Sequence, residues 1–146
     1  RVDMSRKIDA DGLERFGINT NHEIMDNGQL RFRLSGKDGS GYIRCENRTA
    51  PAWENSHSHS KLRELILVQS GSVVFSSFKD GKAIFTTLHE GDFIISEPGI
   101  AHNEILSSGA VIHTLKYGDC TQPDWIPCPE LDRLTKHLTF EEALSL

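Results

Sequence analysis

The 146-residue chain is long enough to bury a core of its own but too short for two domains of ordinary size. Its formal net charge of -5 comes from acidic residues spread along the sequence, and the basic residues form no cluster. Nucleic-acid binding needs a clustered basic face, so we expect no such partner. No apolar run reaches the length of a membrane-spanning helix, so we expect no membrane partner either. We therefore predict a single domain over residues 1–146.

The N-terminal segment and the cysteines both bear on location. Residues 1–12 lack the apolar stretch of a secretion signal, and we therefore expect a cytoplasmic protein. Cys45, Cys120 and Cys128 form an odd set without a CxxC pair, which favours free thiols in a reducing compartment. A disulfide between Cys120 and Cys128 is the alternative.

The first predicted elements are a short helix around residues 9–16 and a strand within residues 27–35. In that strand, with the sequence NGQLRFRLS, apolar and polar residues alternate. Successive side chains of a strand point to opposite faces, so we predict one buried and one polar face. The buried face would carry Leu30, Phe32 and Leu34, and the polar face would carry Gln29, Arg31 and Arg33.

From about residue 36 onward, glycine-containing turn signals recur every eight to twelve residues. The segments between these signals are rich in branched and aromatic residues, which is typical of the strands of a meander or a barrel. In chain order they are ELILV, SVVFSSF, AIFTTL, FIIS, HNEIL and VIHTLKY. Asp80 and Gly81 tolerate the positive φ of a two-residue turn, so we predict a hairpin there.

Two short helices are predicted at the C-terminus. Leu131, Leu134 and Leu138 recur at helical spacing after a proline. Thr139 and Glu142 have the spacing of a capping box at the start of a second helix. The preceding segment, DWIPCPE at residues 124–130, is predicted to cross the surface of the β-structure without a chemical role.

Two histidines and a glutamate precede an apolar strand in HSHSKLRELILV, residues 57–68. His57 and His59 leave the same face of an extended strand, with their Cα atoms roughly 7 Å apart, so both imidazoles can bind one ion. Glu64 has the opposite parity. A turn within residues 60–63 is therefore needed before its carboxylate can reach the same ion.

The strand that follows Glu64 is apolar on both faces. Ile66 and Val68 share the face of Glu64 and are expected to line a barrel. Leu65 and Leu67 point outward and need a cover. Another sheet, the C-terminal helices and a second subunit are the alternatives for that cover.

The order of these residues resembles the two motifs of the cupins. The spacing His57-x-His59-x4-Glu64-x6-Gly71 is similar to the first motif, and Gly91, Gly99 and His102 within residues 90–105 are similar to the second. The resemblance implies an all-β fold, an antiparallel double-stranded β-helix or jelly-roll barrel over about residues 24–117. The short C-terminal helices would occupy about residues 129–146.

Three departures from the family pattern bear on the subgroup. Pro51 stands where the fullest pattern has glycine, Pro98 is shifted by one place, and Leu106 stands where the pattern has asparagine. These departures argue against membership of the germin-like subgroup. None of them changes a metal ligand.

The resemblance also implies a metal site with one or two positions left open. Its ligands would be His57, His59, Glu64 and His102. Three imidazoles and one carboxylate suit Fe, Mn, Ni, Co or Zn and do not select among them. The alternative is that these are ordinary hydrogen-bonded barrel residues in a cupin that does not use its ligands.

Further side chains are candidates for contact with a substrate. Glu104 shares the parity of the last histidine ligand, and Glu104 or His113 would act as a general acid or base if it faces the cavity. Arg44 would pair with a carboxylate or phosphate, and Tyr42 and Trp53 would form an aromatic rim. An ordinary surface or packing role is the alternative for each.

Several functions are compatible with this pattern. A metal-dependent enzyme acting on a small polar metabolite is the first hypothesis, and within it we favour a dioxygenase over a redox-neutral isomerase, epimerase or lyase. A barrel that binds a sugar or an organic acid without catalysis is the second, and a purely structural cupin is the third. In each case we expect a homodimer that covers Leu65 and Leu67.

Overall fold

Antiparallel strands in two sheets form most of the computed structural model, which describes residues 10–121 and 124–146. In chain order the strands are β1 (Asn19–Ile24), β2 (Gln29–Ser35), β3 (Gly41–Asn47), β4 (His57–Ser58), β5 (Leu62–Ser70), β6 (Val73–Lys79), β7 (Lys82–Leu88), β8 (Phe93–Ser96), β9 (His102–Leu106), β10 (Val111–Gly118) and β11 (Ile126–Pro127). The helices are α1 (Ala10–Glu14), α2 (Pro129–Thr135) and α3 (Phe140–Leu144). The predicted all-β class with short C-terminal helices is confirmed.

The strand order shows how the chain alternates between the two sheets. One sheet has six strands in the order β1-β2-β3-β10-β5-β8, and the other has five in the order β11-β4-β9-β6-β7. Consecutive strands such as β4 and β5, or β8 and β9, therefore lie in different sheets. This alternation is the double-stranded β-helix arrangement, and it brings the start of β5 opposite β4 and β9.

The predicted hairpin turn is present between β6 and β7. Asp80 and Gly81 have φ values of 52° and 75°, as a two-residue primed turn requires. Another positive φ, 79°, occurs at Gly71, between β5 and β6. A Cβ atom there would lie 2.7 Å from the Cβ of Ala110, so this sheet-to-sheet connection needs glycine.

The main core lies between the two sheets. Ile66 and Val68 point into it and are each 1% exposed, whereas Leu67 is 38% exposed. The predicted facing of β5 is therefore confirmed. The core residues of this cluster are Cys45, Ile66, Val68, Val73, Phe75, Leu88, Leu106, Ala110 and Ile112.

The predicted facing of β2 is wrong. Arg31 and Arg33 line the cavity inside the barrel, and Gln29 is buried. Leu30, Phe32 and Leu34 lie on the opposite, outer face of the sheet and are only half-buried. The alternation identified two faces correctly, but the interior of this barrel is polar at β2.

The C-terminal helices close the side of the five-stranded sheet. Thr139 caps α3 in a capping box with Glu142, as predicted. Ala143 of α3 packs with Trp53 and Ile105 in a second core cluster. The helix expected around residues 9–16 spans Ala10–Glu14, and Asp9 lies outside the described residues. No helix within the described ranges is long and apolar enough to span a membrane.

Candidate metal centre

Four side chains converge between the two sheets, and they are the four that the sequence proposed as ligands. One potential donor atom from each lies within 4.8 Å of the others. His57 of β4 and His102 of β9 are direct cross-strand partners in the five-stranded sheet. Glu64 comes from β5 in the six-stranded sheet, and His59 lies in the bend between β4 and β5. The cluster consists of His57, His59, Glu64 and His102.

Main-chain carbonyls fix the orientation of all three imidazoles. Each ring donates through Nδ1 to a carbonyl oxygen, which only accepts, so Nδ1 carries the hydrogen. The partners are Asn55 for His57 at 3.1 Å, Ile100 for His102 at 3.3 Å, and Asp124 for His59. Each Nε2 atom is then left with a free lone pair facing the other ligands, the arrangement found in histidine metal sites.

The contacts around the glutamate fit a shared cation. The Oε1 atom of Glu64 lies 3.6 Å from Nε2 of His57 and 3.6 Å from Nε2 of His102, and it contacts Nε2 of His59. Nε2 of His59 and Oε1 of Glu64 are buried, yet neither has a hydrogen-bond partner among the described residues. Two acceptors that face each other in this way are stabilised by a cation between them. Three imidazole nitrogens and a carboxylate fit a divalent first-row ion.

The electrostatics of the cluster favour an ionised carboxylate. Burial alone would raise the pKa of Glu64, but hydrogen bonds from the three histidine rings, which form when a ring carries a proton on Nε2, lower that pKa well below its usual range. Burial acts to lower the pKa of His59, whereas the Glu64 carboxylate and the Asp124 carbonyl raise it, and the net shift is upward. An anionic oxygen is thus held ready among the imidazoles, as metal binding requires.

The segment between residues 124 and 128 supports the cluster, although the sequence predicted no chemical role for it. The Asp124 carboxylate accepts hydrogen bonds from the main chain of the bend that separates His59 from Glu64. Trp125 stacks on His57, with ring centroids 5.3 Å apart and an interplanar angle of 21°. Ser56, next to His57, donates to the carbonyl of Cys128 at 2.6 Å. Nothing in the local sequence pattern signals these long-range contacts.

A cavity of about 420 Å³ opens beside the cluster. His57, Glu64 and His102 form part of its wall. Its charged lining residues beyond these ligands are Asp26, Arg31, Arg33, Glu54, Glu104 and Lys116. A volume of this size accommodates a small metabolite next to the ligands.

A buried ionic network lies in the same cavity. Arg31 contacts Glu54 and donates to Oε1 of Gln29 at 2.9 Å. Glu104 is 7% exposed, and its Oε2 atom has no hydrogen-bond partner in the part of the chain that the structure describes. Burial and the nearby Glu54 carboxylate raise the pKa of Glu104 well above its usual value. Burial also raises the pKa of the Cys45 thiol, which lines the same cavity, to about 12.

The other sequence candidates divide between the inside and the outside of the barrel. Glu104 and Trp53 line the cavity, and Trp53 also packs in the core and donates to the Leu138 carbonyl at 3.0 Å. The remaining three candidates, His113, Tyr42 and Arg44, lie on the outer face of the six-stranded sheet.

The outward position of His113 has a simple geometric cause. Ile112 and Thr114 on either side of it line the cavity, so the intervening side chain points away from it. There His113 bonds to the Tyr42 hydroxyl through Nδ1 at 2.7 Å and to Gln69 through Nε2 at 2.6 Å. This corrects the expectation that His113, Tyr42 or Arg44 contacts a ligand in the cavity.

Comparisons with known proteins bear on the fold. No protein-family model matches the sequence, and no curated protein sequence matches it. Among solved structures, oxalate decarboxylase from Bacillus subtilis is similar, with a TM-score of 0.60 and 12% identity over 74% of this chain. That match spans 30% of the oxalate decarboxylase chain. Another structure of the same enzyme is described as containing Mn(II) centres.

Two further structures are similar. One is a conserved protein with a double-stranded β-helix domain from Klebsiella pneumoniae, with a TM-score of 0.59, 18% identity and coverage of 85% of this chain and 97% of that one. The other is Drosophila melanogaster CENP-C bound to CAL1, with a TM-score of 0.52, 17% identity and coverage of 67% and 76%. Likeness at such identities concerns the fold. It agrees with the observed strand order and with the resemblance of the two sequence motifs to those of the cupins: the chain has a double-stranded β-helix fold with a His3Glu cluster between its sheets.

Proposed function

We propose that this protein is a metal-dependent enzyme that acts on a small polar metabolite. The observation that supports this proposal is that three residues of the His3Glu cluster, His57, Glu64 and His102, line a cavity of about 420 Å³. The cluster offers a pair of buried acceptor atoms, on His59 and Glu64, without hydrogen-bond partners among the described residues. A metal in such a position would contact both the barrel and a molecule in the cavity.

Manganese is the first metal to test. The donor set suits Mn, Fe, Ni, Co and Zn alike, and the similar oxalate decarboxylase is described as containing Mn(II). When bound by His57, His59, Glu64 and His102, such an ion supplies Lewis acidity toward a substrate oxygen, and a redox-active ion also supplies electron transfer.

Glu104 supports catalysis over binding alone. The residue lines the same cavity as the cluster, so its carboxyl group can give a proton to a bound molecule or take one back. A barrel that only stores a ligand has no need of a buried carboxyl group beside the metal site. The same placement favours the redox-neutral alternative, an isomerase, epimerase or lyase, beside the dioxygenase that the family resemblance suggests.

Metal analysis combined with binding calorimetry tests the proposal. Protein loaded with manganese and freed of excess metal is expected to retain one equivalent and to bind a compound from a panel of hydroxy acids, hydroxyketones and diketones. Glu64→Gln removes the ligand charge with little change in volume and is expected to retain no metal and to bind none of the panel. Equal metal contents in both proteins, or no heat with any compound, would contradict the proposal.

Proton exchange distinguishes the two reaction types. With dihydroxyacetone in D2O and without oxygen, a redox-neutral enzyme is expected to exchange the protons next to the carbonyl, which NMR detects. Glu104→Gln is expected to slow this exchange by about 10²- to 10⁴-fold. Oxygen consumption with a compound that binds, without anaerobic exchange, would instead support the dioxygenase. If a compound binds but neither is seen, the non-catalytic barrel is favoured.

A further inference from the structure

Lys116 of β10 is a charged side chain that lines the cavity. It pairs in register with Glu64 across β5 and β10, so the two side chains leave the same inner face of the sheet. The side chain is half-buried and lines the cavity, yet it forms no hydrogen bond or ion pair within residues 10–121 and 124–146.

Arg33 of β2 is a second cation, and part of its guanidinium group is available to bind an anion. Its Nε atom bonds to Glu23 at 3.2 Å, and no described residue accepts a hydrogen bond from its two terminal nitrogens. Arg31 is different, because Glu54 and Gln29 already occupy its guanidinium group. The terminal nitrogens of Arg33 can therefore bind an anion, whereas the charge of Arg31 is already balanced by the carboxylate of Glu54.

The sheet allows Lys116 and Arg33 to approach each other. Arg33 pairs with Ile43 of β3, and Ile43 pairs with Thr114 of β10, so the two cations lie on the same face and two strands apart. The strand spacing puts their Cα atoms roughly 12 Å apart, within the combined reach of two long side chains. Gly41 lies between them, and a Cβ there would be 3.9 Å from Cδ of Lys116. The lysine stem thus lies over the glycine, on the way toward β2.

The charge balance of the cavity also favours an anion once a metal is bound. Three cationic side chains, Arg31, Arg33 and Lys116, face four carboxylates, Asp26, Glu54, Glu64 and Glu104. Even if Glu104 is ionised against its raised pKa, the carboxylates are in excess by only one, and a divalent ion reverses the sign. An anion that enters the metal-loaded cavity then meets a positive potential, and it can bind to Lys116 and to the two terminal nitrogens of Arg33, whose Nε atom is bonded to Glu23.

We propose that Lys116 and Arg33 form an anion subsite, and that the substrate is a small hydroxy acid with a second carboxylate at its far end. The inference rests on the proposed function, since the near end of the acid would meet the His3Glu cluster. The far carboxylate pairs with the two cations. A hydroxyl group in between meets the carboxyl group of Glu104, which lines the same cavity.

Matched pairs of acids test the subsite by calorimetry on the manganese-loaded protein. Malate and 2-hydroxybutyrate share a chain length and an α-hydroxy acid head but differ in the second carboxylate, and 2-hydroxyglutarate and 2-hydroxyvalerate form a longer pair. The diacid of at least one pair is expected to bind about tenfold more tightly than its monoacid. Lys116→Met is expected to weaken the diacid much more than the monoacid and so to abolish that preference, and the manganese content is measured for each protein. Lys82→Met, which removes an exposed lysine in β7, is the control and is expected to keep the preference.

The outcomes separate this inference from the proposed function. If the monoacids bind but no diacid binds more tightly, the anion subsite is wrong and the metal-binding cavity stands. If the preference survives in Lys116→Met and in Arg33→Gln, the subsite is likewise wrong. If the manganese-loaded protein binds none of the four acids or any other compound of the panel, the proposed function fails together with the inference.

Discussion

His59 donates a hydrogen bond through Nδ1 to the main-chain carbonyl of Asp124, 65 residues later in the chain. The carboxylate of the same aspartate accepts from the main-chain nitrogens of Ser60 at 2.6 Å, Lys61 at 2.7 Å and Leu62 at 3.3 Å. One residue therefore orients a candidate ligand and also holds the bend that separates His59 from Glu64. The geometry of the cluster depends on this contact between distant parts of the chain.

Asp124→Ala is expected to weaken metal binding by about tenfold, a magnitude typical of residues that orient metal ligands. The substitution keeps the carbonyl that accepts from His59 but removes the carboxylate that holds the bend. His59 and Glu64 would then lose their fixed separation. Titration of the metal-free protein with Mn(II), followed by calorimetry, gives the affinity.

Asp119→Ala is the matched control for that experiment. Asp119 is exposed and accepts hydrogen bonds only from the neighbouring Thr121 within the described part of the chain. Its removal is expected to leave the manganese affinity unchanged. If both variants bind manganese as the wild type does, Asp124 does not position the site.

Metal binding is expected to stabilise the folded protein. An ion that binds only the native state adds about 2.7 kcal/mol to the free energy of unfolding at a free concentration one hundred times Kd. Urea denaturation with and without Mn(II) measures this increment. In Glu64→Gln, Mn(II) is expected to raise the free energy of unfolding very little, because the buried anionic ligand is lost.

His89→Ala provides the control for metal stabilisation. His89 is 69% exposed in its side chain and lies outside the cluster. The His89→Ala variant is expected to show the same increase in the free energy of unfolding with Mn(II) as the wild type. The same increment in Glu64→Gln would show that manganese stabilises the protein through another site.

The four candidate ligands were predictable because their pattern is local. The parity of His57 and His59, and the need for a bend before Glu64, follow from strand geometry within eight residues. The second motif placed His102 at the start of a strand, where β9 begins. These short-range rules do not depend on how the strands pair.

The remaining parts of the site depend on pairing and register, which one sequence does not reveal. The alternation of apolar and polar residues in β2 predicted two different faces, but it did not show which face points into the barrel. The inward face is the polar one. Lys116 lies beside Glu64 only because β10 pairs with β5 in one particular register. His113, one strand position from the cavity-lining Thr114, points outward for the same reason.

The buried thiol of Cys45 is expected to make stability fall above pH 9. Burial first, and then the Glu54 carboxylate, raise the folded-state pKa of Cys45 from its ordinary value of 9.0 to about 12, against the opposing charge of Arg31. A raised folded-state pKa means that the neutral thiol contributes its stability fully below pH 9. That contribution is lost between pH 9 and 12, by at most about 1.4 kcal/mol per pH unit.

Cys45→Ser isolates this contribution, because serine does not titrate in that range. Urea denaturation at pH 7.5, 9 and 10.5 is expected to show a steeper loss of stability in the wild type than in Cys45→Ser. Cys128→Ser, at a half-buried position outside the core, is expected to follow the wild type. Parallel pH profiles for the wild type and Cys45→Ser would show that the thiol does not titrate on unfolding as proposed.

The outer face of the six-stranded sheet carries an apolar patch that fits a second copy of the chain. Leu67 is 38% exposed, Phe93 60% and Leu115 46%. Leu67 pairs with Phe93 of β8, and Leu115 of β10 pairs with Leu65, two residues before Leu67, so the three share one face of the sheet. The charged pair at its border, Arg63 and Glu97, is already satisfied within the chain at 3.1 Å. A patch without net charge does not repel its own copy, and apolar faces of this kind are typical of interaction sites.

We therefore expect a homodimer through this patch, with twice the mass of one chain in light scattering. Leu115→Glu is expected to shift the protein to the monomer, because a dimer would bury two unpaired carboxylates at its centre. Ile84→Glu changes a comparably exposed apolar residue, 48% exposed, on β7 of the other sheet and is expected to remain a dimer. A monomeric wild type would refute the dimer, and a Leu115→Glu variant that stays dimeric would place the interface elsewhere. Far-ultraviolet circular dichroism of each variant shows whether the fold is retained, so that a change in mass reports on the interface alone.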